Sequence, residues 1–282
     1  MEVIIAKRAG VCFGVKRAID MAFKAARNYR NHVYTVGPLI HNPQVVERLR
    51  EAGVTVKEGI DDIVDGTVIL RSHGVPSHVA EKARQKGLRI VDATCPFVKR
   101  AHKFARLLSR NGYVVIIVGD ESHPEVTSLR SYVQGEAMVV SSTAELADWE
   151  GMRKVGVVAQ TTQRFQNFRE IVALCLEKAR EIRAYNTICD ATALRQREAL
   201  DLAHRVDCMI VIGGHNSANT RRLAEICRRI LPDTHHVERV EELRPRWFRG
   251  KRRIGVVGGA STPGWVIEEI AQGLRGISSR DS

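Results

Sequence analysis

Two hydrophobic periods alternate along this chain, one of helices and one of strands. Apolar positions three and four apart make roughly Gly14–Asn28 an amphipathic helix. A short apolar run follows, Val33–Val36, and stops at Gly37 and the loop PLIHNP. The same order returns after Cys95: a helix to about Asn111, a strand Tyr113–Val118, then Gly119 and the loop DESHPE. It returns again after Cys189, with a helix Ala191–Arg205, a strand Cys208–Ile212, and Gly213-Gly-His-Asn-Ser217. The head of the pattern is written twice almost letter for letter, as CFGVKRA at Cys12–Ala18 and CPFVKRA at Cys95–Ala101. Distances within the copies hold too. His41 lies 29 residues past Cys12, His123 lies 28 past Cys95, and Asn216 lies 27 past Cys189.

Each copy continues with a second strand and loop: TVILRSHGVP at Thr67–Pro76, KVGVVAQTTQ at Lys154–Gln163, and RIGVVGGASTP at Arg253–Pro263. Short acidic and apolar segments precede them, IDDIVDG, TAELADWEG and VEELRPRWFRG. Strands alternating with helices predict parallel α/β units. The first two copies end in a strand leading to the next cysteine, LRIVDATC and AYNTIC, whereas the third ends in a helix near Gly273. The N-terminal strand in EVIIAKRAGVC has no copy of its own, so it is expected to complete the third. The fold class is therefore α/β, with three repeated parallel domains in a pseudo-threefold trefoil. Residues 14–95 form the first, 96–188 the second, and 189–282 the third, completed by strand 1–13. Ligands of open parallel sheets bind beyond the carboxyl ends of strands, where helix N-termini favour anions. All six loops lie there, which points to a central anion site.

Composition narrows the class. The chain has 282 residues and a net charge of +12, with apolar and charged fractions usual for a soluble globular protein. No stretch is apolar enough to span a bilayer, and MEVIIAKRAGVCFGV does not read as a signal peptide. A cytoplasmic location is expected, where the six cysteines stay reduced rather than forming disulfides. The positive balance favours anionic partners. The densest basic run, Arg244 to Arg253, reads as a solvated face.

The repeat groups Cys12, Cys95 and Cys189, which no local C-x-x-C spacing would do. Thiolates select zinc, copper(I) or iron–sulfur clusters, and the spacing does not choose among them. Three protein ligands leave one position open, the pattern of a Lewis-acid site. Cys175, Cys208 and Cys227 sit in apolar runs and read as buried small hydrophobes. His41, His73 and His123 each follow a strand and precede a helix, and their repetition favours anion binding. The other seven histidines, His235 and His236 among them, read as surface residues. Glu125 stands in a first helical turn, either as dipole complement or as proton donor. Thr161, Ser217, Asn219 and Ser261 add hydroxyl and amide groups at the remaining loops.

The motifs AGVCFGVKRAI, HNPQVV, RSHGV, DATCPFV, HPEV, AQTT, NTICDAT, NSANTRRL and GGAS together resemble the 4-hydroxy-3-methylbut-2-enyl diphosphate reductase family. The resemblance covers nearly the whole chain. It implies a trefoil of three domains around a 4Fe-4S cluster with three cysteine ligands, Cys12, Cys95 and Cys189, and one open iron. It implies that His41, His73, His123, Ser217, Asn219 and Ser261 bind the diphosphate, that Glu125 delivers protons, and that Thr161 orients the substrate hydroxyl. The reaction would remove that hydroxyl as water and give isopentenyl or dimethylallyl diphosphate, with electrons from an external donor such as ferredoxin or flavodoxin. The chain departs from the family at Ala218, where a second serine is common, and at Thr127–Ser131, where a glycine-bearing segment is usual. Two other readings remain open. One is a cluster enzyme that reduces another allylic diphosphate. The other is a basic nucleic-acid binder, against which stand the few aromatics and the lack of a recognition motif.

Overall fold

The computed structural model describes residues 1–29 and 32–278, so the last four residues assigned above to the third repeat, 279–282, lie outside the described residues. In chain order the elements are β1 (Glu2–Ile5), α1 (Phe13–Asn28), β2 (Val33–Val36), α2 (Pro43–Glu51), β3 (Val54–Lys57), β4 (Thr67–Leu70), α3 (Ser77–Gln85) and β5 (Arg89–Asp92). Then come α4 (Pro96–Arg110), β6 (Val114–Val118), α5 (Pro124–Arg130), β7 (Ala137–Val140), β8 (Lys154–Ala159), α6 (Phe165–Lys178) and β9 (Glu181–Ala184). The last part carries α7 (Asp190–Ala203), β10 (Cys208–Ile212), α8 (Ala218–Ile230), β11 (Thr234–Val237), β12 (Arg253–Gly258) and α9 (Gly264–Ser278).

Three four-stranded sheets result, ordered β3-β2-β4-β5, β7-β6-β8-β9 and β11-β10-β12-β1. Every pairing is parallel. The three orders are one topology written three times. The N-terminal strand takes the place in the third sheet that β5 and β9 take in theirs, with Glu2 opposite Arg253 and Ile5 opposite Val256. The reason is visible in composition. Centre strands covered on both faces are continuous apolar runs, as VVIIV and CMIVI, whereas the outer strands RIVD and EIRA keep polar side chains in solvent. The acidic segments before the third strands form 3-10 turns at Ile60–Asp62, Thr143–Leu146 and Val240–Glu242.

The chain divides into two compact units. One comprises Met1–Val15, His41–Val45 and the chain from Asp190 onward, and contains the third sheet. The other comprises Lys16–Ile40 and Val46–Cys189, and contains the first two sheets.

His102 is buried, not a surface residue. It lies on the inner face of α4, where Val98, Ala101, Ala105 and Leu108 repeat at helical spacing. Its ring stacks on Tyr132 at 4.1 Å, and Nε2 lies 3.1 Å from the Ser128 hydroxyl. That hydroxyl donates to the Val75 carbonyl at 2.8 Å, so its oxygen accepts from His102 Nε2–H. Gly74 makes this approach possible. Its φ is +84°, and a Cβ there would stand 2.7 Å from Ser128 Oγ. Burial foremost, then the Arg106 charge, pushes the His102 pKa down to about 4. The unfolded chain takes up that proton near pH 6.5, and the folded chain does so only near 4. This residue's contribution to stability is therefore complete above pH 6.5 and is lost as pH falls toward 4, by up to about 3 kcal/mol. Urea unfolding at several pH values should show that slope, and His102→Gln should lack it. Equal slopes would contradict the assignment.

His235 and His236 are also only partly exposed, on β11. His235 stacks on Trp247 at 3.8 Å, and His236 Nε2 bonds the Gly213 carbonyl at 2.8 Å. Strand pairing and that tryptophan draw both in.

Candidate active site

In the first two sheets the chain leaves one centre strand toward one edge and returns through the other toward the opposite edge; in the third, β1 from the N-terminus supplies that opposite edge. The two centre strands thus flank a topological switch point, the usual binding crevice of such sheets. The loops after β2 and β4 carry His41 and His73, those after β6 and β8 carry His123 and Thr161, and those after β10 and β12 carry Ser217 and Ser261.

The cysteines occupy one backbone environment three times. Cys12 N–H donates to Ala260 O at 3.0 Å, Cys95 N–H to Ser72 O at 2.9 Å, and Cys189 N–H to Thr161 O at 2.9 Å. Each acceptor is two residues beyond the end of β12, β4 or β8. Each cysteine directly precedes α1, α4 or α7, and each is partly exposed. A helix N-terminus lowers the cost of a thiolate. The other three cysteines are buried, and burial pushes the thiols of Cys175, Cys208 and Cys227 up to about 11, 12 and 12.

In the third-sheet unit, Ser217 caps α8, its oxygen accepting from Thr220 N–H at 3.4 Å. Asn219, in the first turn of α8, is 4% exposed, and among the described residues neither amide atom finds a hydrogen-bond partner. Ser261 Oγ donates to His41 O at 3.1 Å. Gly214 lies against the same carbonyl; a Cβ would stand 2.8 Å from it, so only glycine lets the two loops meet. Asn42 Oδ1 accepts from Val45 N–H at 3.0 Å and caps α2, which sets His41 just outside the helix. Ala218 is buried as the first residue of α8, a methyl where the related pattern has a hydroxyl.

In the two-sheet unit, His123 caps α5 through Nδ1, which accepts from Glu125 N–H at 3.1 Å. A neutral His123 therefore carries its proton on Nε2. Its ring centroid lies 6.3 Å from that of His73, and both residues are buried. Glu125 is 4% exposed. Its Oε1 accepts from Thr161 N–H at 2.6 Å and its Oε2 from Thr161 Oγ1–H at 2.8 Å. The departure at Thr127–Ser131 is helical up to Arg130 and anchored. Ser77 N–H donates to Ser131 Oγ at 2.8 Å, and Ser77 Oγ–H donates to Ser131 O at 2.9 Å.

Sequence reasoning missed supporting residues. Ser72 donates from backbone and hydroxyl to Leu39 O, and Gln160 Oε1 accepts from Asp120 N–H at 3.1 Å. Arg17 donates to Thr94 O at 3.2 Å and Asp92 O at 3.4 Å, holding the segment that leads into Cys95. Arg195 holds the Arg8 and Gly258 carbonyls in the other unit. The repeated Val-Lys-Arg-Ala was the available signal for Arg17, although its counterpart Arg100 lies over the Phe97 ring at 5.3 Å.

One further set, Cys208, Asp233 and His235, brings its ligand atoms within 4.8 Å of one another. It lies at the amino ends of β10 and β11, away from the loops above. Lys251 Nζ stands 2.5 Å from Asp233 Oδ2, and the Cys208 thiol is pushed up to about 12 by burial, so the set favours an ion pair over a cation.

The family model described as LytB protein matches residues 3–275. The chain belongs to the LytB family. A LytB relative from Geobacter metallireducens, named 4-hydroxy-3-methylbut-2-enyl diphosphate reductase, is 55% identical over 99% of this chain and 99% of its own. Among solved structures, (E)-4-hydroxy-3-methyl-but-2-enyl diphosphate reductase, the terminal enzyme of the non-mevalonate pathway, aligns at 45% identity. Its TM-score is 0.72, covering 98% of this chain and 100% of that one. The Plasmodium falciparum reductase has the same fold, with TM-score 0.90 at 24% identity over 96% of this chain and 87% of that one.

Proposed function

We propose that this LytB-family oxidoreductase reduces 4-hydroxy-3-methylbut-2-enyl diphosphate to isopentenyl and dimethylallyl diphosphate. The reading further proposes that Cys12, Cys95 and Cys189 hold a 4Fe-4S cluster. The observation that carries it is the thrice-repeated cysteine environment: a partly exposed thiol at a helix start, tied through its N–H to the loop after a centre strand. Three such thiols fit a cluster with one open iron, and the buried thiols of Cys175, Cys208 and Cys227 do not. When bound, such a cluster supplies electrons one at a time and a Lewis-acidic iron.

The chain's own groups do the rest. With Nδ1 accepting from Glu125 N–H, His123 is a donor through Nε2–H, and charge-assisted bonds to a diphosphate are the strong class. Asn219 fits the same role, because a buried amide with no partner among the described residues marks a place for a polar ligand. His41, His73, Ser217 and Ser261 stand on the loops of the same switch points. Thr161 donates its hydroxyl proton to Glu125 and keeps its oxygen lone pairs for a substrate hydroxyl. Protonation of Glu125 reverses that bond: Oε2–H then donates to Thr161 Oγ1, the Thr161 O–H turns to the leaving oxygen, and a proton passes along this pair as the hydroxyl departs as water. The reaction needs two electrons, and an external one-electron carrier of the ferredoxin or flavodoxin type would supply them. Among the described residues no helix is long and apolar enough to cross a membrane, and a cytoplasmic place remains part of this proposal.

The test is anaerobic turnover of 4-hydroxy-3-methylbut-2-enyl diphosphate with dithionite and a viologen mediator. Formation of both five-carbon diphosphates is expected. No turnover of this substrate, with turnover of another allylic diphosphate, would overturn the reading in favour of a divergent reductase.

A further inference from the structure

The two-sheet unit has a cleft of about 510 Å³ lined on one side by α4 and on the other by β4, β5 and α3. Five cations line it: Arg84, Lys99, Lys103, Arg106 and Arg110. Four of them repeat at helical spacing along one stripe of α4. Lys99 is neutralised by Asp92 at 2.5 Å and Arg84 by Glu81 at 2.9 Å. Lys103, Arg106 and Arg110 are exposed and make no ion pair among the described residues. Between them lie two less polar surfaces, exposed Leu107 and half-buried Tyr132.

Asp92 and Thr94 line the cleft, and Cys95 is the next residue after Thr94. Cys95 also starts the helix that bears the stripe, and Lys99 N–H bonds its carbonyl at 3.0 Å. The reaction proposed above breaks one allylic C–O bond, forms one C–H bond, and releases the oxygen as water. It consumes two electrons and two protons, so two one-electron carriers must each be oxidised once per turnover.

We propose that this cleft is the docking face for an acidic one-electron carrier protein, seated on Lys103, Arg106 and Arg110 around Leu107. The proposal rests on the reductase reading. Complementary charge steers such weak, short-lived encounters and sets their rate more than their affinity. A small apolar centre inside a charged rim is the anatomy of a protein contact. A single-stranded nucleic acid would need open aromatic faces for its bases, but Tyr132 is already stacked on His102 and lies under the Arg106 guanidinium at 5.1 Å.

The experiment uses the full chain with its iron and an acidic plant-type ferredoxin as probe. It compares the parent with a triple variant, Lys103→Glu, Arg106→Glu and Arg110→Glu. A control of equal charge change, Arg244→Glu, Arg246→Glu and Arg249→Glu, alters exposed cations of the other unit. In the cleft variant, ferredoxin-driven kcat/KM should fall at least tenfold and lose its dependence on salt. Calorimetric binding of oxidised ferredoxin should vanish as well. Iron content and dithionite-viologen turnover should stay at the parent's level, and the control should behave as the parent. Should the Glu variant fold poorly, the milder Lys103→Gln, Arg106→Gln, Arg110→Gln replacement should show the same split at smaller amplitude. Unchanged ferredoxin kinetics and binding, or equal losses in the control, would overturn the proposal. So would a parallel loss of dithionite-driven turnover, or a cleft that binds oligoribonucleotide while ferredoxin kinetics ignore the substitutions. If the parent turns over with neither reductant, the reductase reading fails. The binding measurement then decides the docking face by itself.

Discussion

Replacing Glu125 by glutamine should lower turnover about a hundredfold to ten-thousandfold, the span of a positioned proton donor, while iron content stays full. The geometry makes this a clean substitution. A glutamine Oε1 can still accept from Thr161 N–H, as Glu125 Oε1 does at 2.6 Å. Its amide then faces the Thr161 hydroxyl, which can rotate to accept instead of donate. What is lost is the acidic proton, together with a charge in the first turn of α5. The charge alone is worth roughly 1 kcal/mol or less of helix stability. A role limited to the helix dipole would therefore lower the melting temperature slightly and leave chemistry nearly intact. Thr161→Val separates the steps further, since it removes the hydroxyl bond at 2.8 Å but keeps the backbone donor to Oε1. It should slow turnover in the same direction. Near-normal turnover of Glu125→Gln with a full complement of iron would refute the proton path.

The second large effect concerns the cysteines. Cys12→Ser, Cys95→Ser and Cys189→Ser should each cost most of the bound iron and bring turnover to background, because a serine hydroxyl is a poor substitute for a soft thiolate. Cys175→Ser should keep iron and activity. Its side chain is wholly buried in the core of the second sheet, and its thiol is pushed up to about 11 by burial. The readouts are iron and sulfide content and the visible spectrum after anaerobic purification. Loss of iron on changing Cys175, or retention on changing Cys95, would place the ligands elsewhere.

Much of this architecture was legible before any coordinates. The centre strands declare themselves because burial on both faces demands unbroken apolar runs, as in VVIIV at Val114–Val118 and CMIVI at Cys208–Ile212. The missing last strand of the third copy and the spare first strand of the chain could be matched by counting, and β1 does lie beside β12. The shared backbone environment of Cys12, Cys95 and Cys189 was legible through the same repeat. What escaped was anything carried by a single side chain reaching across elements. His102 looks like one more histidine in a basic helix until the helix face is known, and then it is a buried partner of Ser128 and Tyr132. His123 was readable as a cap or as an anion ligand, and its Nδ1 does cap α5. The departure at Thr127–Ser131 looked like an altered loop. It is helix up to Arg130, since none of its residues breaks one and Ser128 and Ser131 tie it to Val75 and Ser77. Ser72 and Gln160 act through loop carbonyls and amides that no pattern of residue types reveals.

On the proposal above, three cysteines from three repeats hold one cluster with an open iron that meets the substrate. A Mössbauer spectrum of the anaerobically prepared protein, recorded before and after adding 4-hydroxy-3-methylbut-2-enyl diphosphate, tests that directly. The expected result is a four-iron cluster in which one iron is distinct from the other three and alone changes its signal when the substrate is added. A cluster of four equivalent irons, a spectrum the substrate leaves untouched, or a protein that holds no iron at all would contradict it.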